Sequence, residues 1–157
     1  MDVQIFQYKE SHLGEIRIIL NEFLSFIANE LTKPPWNFNL DVEHEVDFTM
    51  NNLDKFAKPD GRLLLVEVDG KIAGTISLRK IRNDSGEIKR MYVRPKFREK
   101  KLGNLMIEEV IEFQKKMGTQ NFIWILHISC LQQYLFIRIL DLKKQVLIQK
   151  VFTQKNY

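Results

Sequence analysis

The sequence predicts an α/β (α+β) domain with strands and helices mixed along one chain, on three observations. Apolar residues recur at helical spacing from Leu13 to Leu31. Two apolar runs, Arg62–Val68 and Lys71–Leu78, flank Asp69-Gly70, the plainest hairpin signal in the chain. A strand-like run, Glu87–Val93, then leads through a basic loop into a second periodic segment ending near Met117.

The elements follow in order. Ile5–Tyr8 is a short strand. Ser11 is placed to cap a helix carrying Leu13, Ile16, Leu20, Phe23, Leu24, Ile27 and Leu31 on one face. Pro34-Pro35-Trp36 ends that helix and opens a loop. An acidic helix covers about Asp41–Phe56, and Lys58-Pro59-Asp60-Gly61 turns into the hairpin. Asp84-Ser85-Gly86 turns into the strand Glu87–Val93. After Arg94-Pro95 comes the basic loop Lys96–Lys101, then a helix from about Gly103 to Met117, with Gly118 as its C-cap. Asn121–Leu126, apolar and branched, is a fifth strand. The expected organisation is a single domain over 1–157, without repeat or linker, large enough to bury roughly 70% of its unfolded surface.

Chemistry is readable in the strand–loop–helix unit. The stretch Glu87-Ile88-Lys89-Arg90-Met91-Tyr92-Val93-Arg94-Pro95-Lys96-Phe97-Arg98-Glu99-Lys100-Lys101-Leu102-Gly103-Asn104-Leu105 resembles the acetyl-CoA-binding motif of the GNAT family of N-acetyltransferases. The motif runs Q/R-x-x-G-x-G/A. Arg98 fills its first position and Gly103 its last, while Lys101 stands where the first glycine is expected. The resemblance extends back through the element order to residue 1 and covers roughly three-quarters of the chain. It implies a GNAT-like fold, with a mixed, mostly antiparallel sheet flanked by helices, that moves an acetyl group from acetyl-CoA to a primary amine.

On that resemblance, cofactor contacts fall on Met91, Tyr92 and Val93, and on the loop Arg98, Glu99, Lys100, Lys101, Leu102, Gly103 and Asn104. Elementary electrostatics agrees: a helix N-terminus offers unpaired N–H groups and the positive end of its dipole to a pyrophosphate. Gly103 permits close approach of the backbone. If position 101 needs φ > 0, its lysine is strained by about 1 kcal/mol or more. The backbone N–H groups of Met91 and Val93 would hold the thioester carbonyl and the pantetheine amides. Glu87 takes the place of a general base, or is a solvent-facing strand glutamate. Trp36 and Phe38 line the acceptor wall, or anchor the core. Asp41, Glu43, Glu45 and Asp47 attract a cationic amine, or form a solvated face.

The C-terminal quarter departs from the family. The resemblance demands a further helix bearing a segment like A-I-x-L-Y-x-x-x-G-F, whose tyrosine is the general acid. Residues 122–157 contain no such segment. Residues 119–157 also lack Gly, Pro and Glu, whereas all seven Gly and all four Pro lie in 1–118. Joining each codon's third base to the next codon's first two makes Trp124–Ile125 spell aspartate and Phe136–Ile137 spell only tyrosine or histidine. Ser129–Cys130 with a TCN serine permits methionine. Across Trp124–Leu147 the shifted frame can read D-T-x-H-F-M-x-x-A-I-S-L-Y-K-D-F-G-F-K-K-T-G-F-N, which resembles the missing segment. The expectation is a single-frame slip near residues 119–122. The alternative is a divergent C-terminal half in which Tyr134 serves as the acid.

Charge and composition narrow the remaining classes. The formal charge is +4, and the excess sits wholly in the tail, where Arg138, Lys143, Lys144, Lys150 and Lys155 face one acid, Asp141. No basic stripe tracks phosphates, so nucleic acid is not an expected partner. The apolar run Phe122–Leu142 is interrupted by His127, Gln132, Gln133 and Arg138, so no membrane span is expected. One cysteine, Cys130, excludes a disulfide framework and a multi-cysteine zinc site; no metal is expected. His44-Glu45 lacks the second histidine of H-E-x-x-H, and neither G-x-S-x-G nor a P-loop occurs. The start, MDVQIFQYKE, has no apolar secretory core, which points to the cytoplasm. The partners expected are a small-molecule or peptide amine, with the chain a monomer or homodimer. A catalytically impaired CoA-binding or interaction module is the alternative function.

Overall fold

A computed structural model describes residues 1–56, 59, 61–82, 85–116, 121–124 and 146–148. Strand β1 is Val3–Gln7, helix α1 Leu13–Leu31 and helix α2 Val42–Met50. Strands β2 (Gly61–Val68), β3 (Lys71–Arg82) and β4 (Ser85–Val93) lead to helix α3 (Leu102–Lys116). Strands β5 (Asn121–Trp124) and β6 (Val146–Ile148) complete one sheet in the order β1-β2-β3-β4-β5-β6. The first three pairings are antiparallel; β4–β5 and β5–β6 are parallel. The sheet is therefore mixed and mostly antiparallel, as expected.

The continuous apolar run of β2 has a simple cause: both of its faces are covered. Leu64, Val66 and Val68 pack with Ile76, Leu78 and Ile88 against Leu102, Met106, Ile107 and Val110 of α3. Leu63 and Leu65 pack on the opposite face, against Ile16, Ile19, Leu20, Phe23, Ile27 and Leu31 of α1 and Val46 of α2. The hairpin turn has φ +49° at Asp69 and +75° at Gly70, the twisted two-residue geometry that such pairs favour. Asp69 Oδ1 also accepts the Asp2 N–H at 2.8 Å, which ties the turn to the start of β1.

Several boundaries differ from expectation. Ser11 does not cap α1. It lies within a 3-10 turn, Glu10–His12, and His12 occupies the capping position. The reason is local: His12 Nδ1 accepts the Lys9 N–H at 3.0 Å, closing a tighter turn before the α-helix starts. Leu13 is exposed and Ile19 takes the core position instead. The acidic helix starts as expected, with Asp41 Oδ1 accepting the His44 N–H at 3.0 Å, but it ends at Met50. A 3-10 turn, Leu53–Phe56, then buries Leu53 and Phe56. The expected Gly118 cap, Lys58, Asp60 and Asp84 lie outside the described residues, whereas Ser85 and Gly86, expected in a turn, already pair with β3 as the start of β4.

One ion pair fixes the exit of β4. Arg94 donates to Glu22 Oε2 at 2.9 Å and to the Ile72 carbonyl at 2.8 Å, with its second terminal nitrogen 2.8 Å from Glu22 Oε1. The side chain is mostly buried, so the forked contact locks β4 onto α1 and β3 immediately before the basic loop.

Candidate functional site

Strand β4 is interrupted where the chemistry is expected. Thr75 pairs with Tyr92 and Ser77 with Lys89, so Ile76 of β3 faces two residues of β4, Arg90 and Met91. Arg90 has φ +54°. This is a β-bulge, and the extra residue reverses which side chains face which helix layer. Ile88 packs on the α3 side, and three residues later so does Met91. Tyr92 therefore turns to α1, where its ring lies 5.8 Å from that of Phe23. Burial raises the Tyr92 hydroxyl pKa, and the Glu22 charge acts in the same direction.

Beyond the bulge, the Arg94 N–H bonds to the Ala73 carbonyl of β3 at 2.9 Å. By strand alternation the Val93 N–H points to the opposite side, toward the β5 edge. The β4–β5 pairing runs from Ser85↔Asn121 to Ile88↔Trp124 and stops short of the bulge among the described residues. Gly74 matters here because a Cβ on it would sit 2.7 Å from the Tyr92 carbonyl, so only glycine lets β3 follow β4 past the bend.

The basic loop forms a tight cradle. A 3-10 turn, Pro95–Phe97, buries Phe97 beneath it. Glu99 and Lys101 then adopt φ +65° and +58°. The left-handed conformation foreseen for position 101 is thus present, on a lysine. The Lys101 carbonyl accepts the N–H groups of Asn104 and Leu105 at 3.0 and 3.3 Å, so it begins α3. The Leu102 and Gly103 N–H groups lie in the first turn, where helix geometry provides no intrahelical acceptor. Lys100 and Lys101 are exposed beside them. Arg98 also anchors the loop: its Nε donates to the Val93 carbonyl at 3.2 Å, and its guanidinium sits 5.7 Å from the Phe26 ring centroid.

A family model described as the acetyltransferase (GNAT) family matches residues 25–133, more than half of the chain. The chain belongs to the GNAT family.

An uncharacterized N-acetyltransferase of Schizosaccharomyces pombe is 27% identical over 113 residues, 71% of this chain and 64% of that protein. The chain thus spans less than two thirds of that relative's length. Among solved structures, the PaiA N-acetyltransferase of Thermoplasma acidophilum, in complex with coenzyme A, has a TM-score of 0.73 at 18% identity, covering 88% of each chain. A GNAT-family acetyltransferase of Staphylococcus aureus has a TM-score of 0.68 at 20% identity, over 88% of this chain and 81% of that one. Glucosamine-6-phosphate N-acetyltransferase of Arabidopsis thaliana has 0.59 at 22% identity, over 97% and 99%. At these identities the structures show the shared GNAT fold.

The other expected GNAT residues fall in distinct places. Glu87 is not solvent-facing; it is 1% exposed. Arg79, opposite it on β3, donates to Oε2, and Lys89 Nζ lies 2.9 Å from Oε1. Trp36 packs on the core under α1 and α2, whereas Phe38 is 54% exposed, so one anchors and the other faces solvent. Tyr134 lies outside the described residues and one position past the family match. Arg79, Lys89 and Arg90 were not singled out by the sequence, because nothing in a run of strand residues marks a bulge that carries no glycine.

Proposed function

We propose that this chain transfers an acetyl group from acetyl-CoA to a primary amine by direct attack in a ternary complex. The observation that carries the reading is the left-handed Lys101 at the start of α3. It reproduces the turn for which the motif ordinarily uses glycine, and it leaves the Leu102 and Gly103 N–H groups as donors for a pyrophosphate. Arg98, Lys100 and Lys101 add positive charge there, and Asn104 completes the first helical turn.

The amine nitrogen attacks the thioester carbonyl carbon, forming the C–N bond as the carbonyl becomes an oxyanion. The Met91 N–H, next to the bulge, stabilises that oxyanion, and the Val93 N–H aligns the pantetheine arm. The C–S bond then breaks, the thiolate takes a proton and leaves as CoA thiol, and the acetylated nitrogen releases its proton. Glu87 is the candidate to relieve the incoming ammonium of a proton. Its partner Lys89 is 33% exposed and on the same strand, so it can yield its place to an amine or a water. Phe38 contributes to the acceptor wall. One structural neighbour is named for an amino-sugar phosphate, and a small-molecule amine is the acceptor class proposed for this chain, with a peptide amine as the alternative.

A second reading, a CoA-binding protein that turns over poorly, is favoured by the two cations already engaging Glu87. Release of free CoA thiol from acetyl-CoA with a panel of amines separates the two. The enzyme reading expects amine-dependent release above the hydrolysis background. Acetyl-CoA binding without such release supports the second reading instead.

A further inference from the structure

The bulge gives β4 a side chain that the acetyl-transfer chemistry above does not use. Arg90 turns toward the α1–α2 face, donates from Nη2 to Thr49 Oγ1 at 3.1 Å and stacks 4.5 Å from the Phe56 ring centroid. Its Nη1 is buried and has no hydrogen-bond partner among the described residues. Glu87 and Lys89 lie on the same face of β4, and Arg79 pairs across from Glu87. This patch therefore holds three cations around the Glu87 carboxylate, with Glu45 of α2 near enough for its charge to act on Arg90 as well. A buried guanidinium N–H removed from water without a partner is unfavourable, and an incoming oxyanion would offset that cost with a charge-assisted hydrogen bond. Arg79 and Lys89 remain about one-third exposed, so the patch opens to solvent through them.

Resting on the acetyltransferase reading, we propose that the acceptor amine carries an oxyanion, a carboxylate or a phosphate, and that Arg90 binds it with Arg79 and Lys89 at the mouth. Thr49 and Phe56 hold the guanidinium plane, which leaves Nη1 as the donor committed to the ligand. Arg90 is thereby a specificity-determining residue, set in place by the bulge.

The test uses the full chain and matched amines: β-alanine against β-alaninamide, and phosphoethanolamine against ethanolamine, with acetyl-CoA binding measured separately by calorimetry. The expected result is a preference of about 30-fold or more in kcat/KM for one oxyanion-bearing member over its partner that lacks the oxyanion. Which pair shows it distinguishes carboxylate from phosphate. Arg90→Gln removes that preference with acetyl-CoA affinity unchanged, and Arg90→Lys retains part of it. Lys89→Gln, at a partly exposed position, reduces it even if Arg90→Gln fails to fold. Amines lacking the oxyanion turned over as well as those carrying it, or no turnover of any of the four by a chain that binds acetyl-CoA, overturns the proposal. A chain that fails to bind acetyl-CoA removes the acetyltransferase reading itself.

Discussion

Three side chains carry most of what can be tested at the scale of single residues. Lys101 holds φ +58°, at a cost of about 1–2 kcal/mol for an L-residue. Glycine removes that strain but loses roughly 0.5–1 kcal/mol in chain entropy. Lys101→Gly is therefore expected to raise stability by about 0.5 kcal/mol in urea unfolding, while the salt dependence of acetyl-CoA binding falls as one cation disappears. Arg94 is the opposite case. Arg94→Ala strips Glu22 and the Ile72 carbonyl of a buried partner and should cost about 2–4 kcal/mol, read as a lower denaturant midpoint at unchanged slope. Arg90 has its pKa lowered to about 10, first by desolvation and then by the Arg79 charge, against the opposing pull of Glu87 and Glu45. The folded state thus releases this proton before the unfolded state does. Its contribution to stability rises as pH climbs through about 10 toward the ordinary arginine value, and is unfavourable below that window. Arg90→Met should flatten that alkaline rise, measured as the stability difference from wild type between pH 9 and pH 11.

Among the elements, β4 decides the arrangement. Without the extra residue, Tyr92 would join Ile88 on the α3 side, and Met91 would face α1. Gly74 accommodates the bend, and Gly74→Ala would drive a Cβ to 2.7 Å from the backbone oxygen of Tyr92. Because that neighbour is backbone, the clash cannot be relieved by a rotamer change. A loss of about 1–3 kcal/mol is expected in thermal or urea unfolding, with acetyl-CoA affinity falling alongside it. A full-affinity, fully stable Gly74→Ala would contradict the bulge geometry. The order of elements was legible because its punctuation is chemical: Pro34-Pro35 stops α1, Asp69-Gly70 makes the hairpin, and Pro95 opens the loop turn. The cluster of Arg79, Glu87, Lys89 and Arg90 was not legible. It depends on cross-strand register and on a bulge whose left-handed residue is an arginine, and neither leaves a periodic trace. Ser11 misled for a related reason, since a histidine nitrogen three residues from Lys9 closed the turn that the serine was expected to cap.

For the whole molecule, two helix layers clamp a sheet whose fourth strand and following loop form one continuous surface. The family match runs to residue 133, past residue 119, where the unusual composition of the C-terminal tail begins. We infer that a one-base slip near codons 119–122 produced that tail. The coding DNA should then spell the family-like segment when read in the shifted frame, and stops or unrelated residues there would refute the slip. The central claim, that the Arg98–Asn104 cradle binds acetyl-CoA, is tested most directly by calorimetric titration of the purified full chain. Saturable heat with acetyl-CoA, tighter than with ATP and weakened by Gly103→Val, is the predicted result. A folded, monodisperse sample that gives no heat with acetyl-CoA would contradict it.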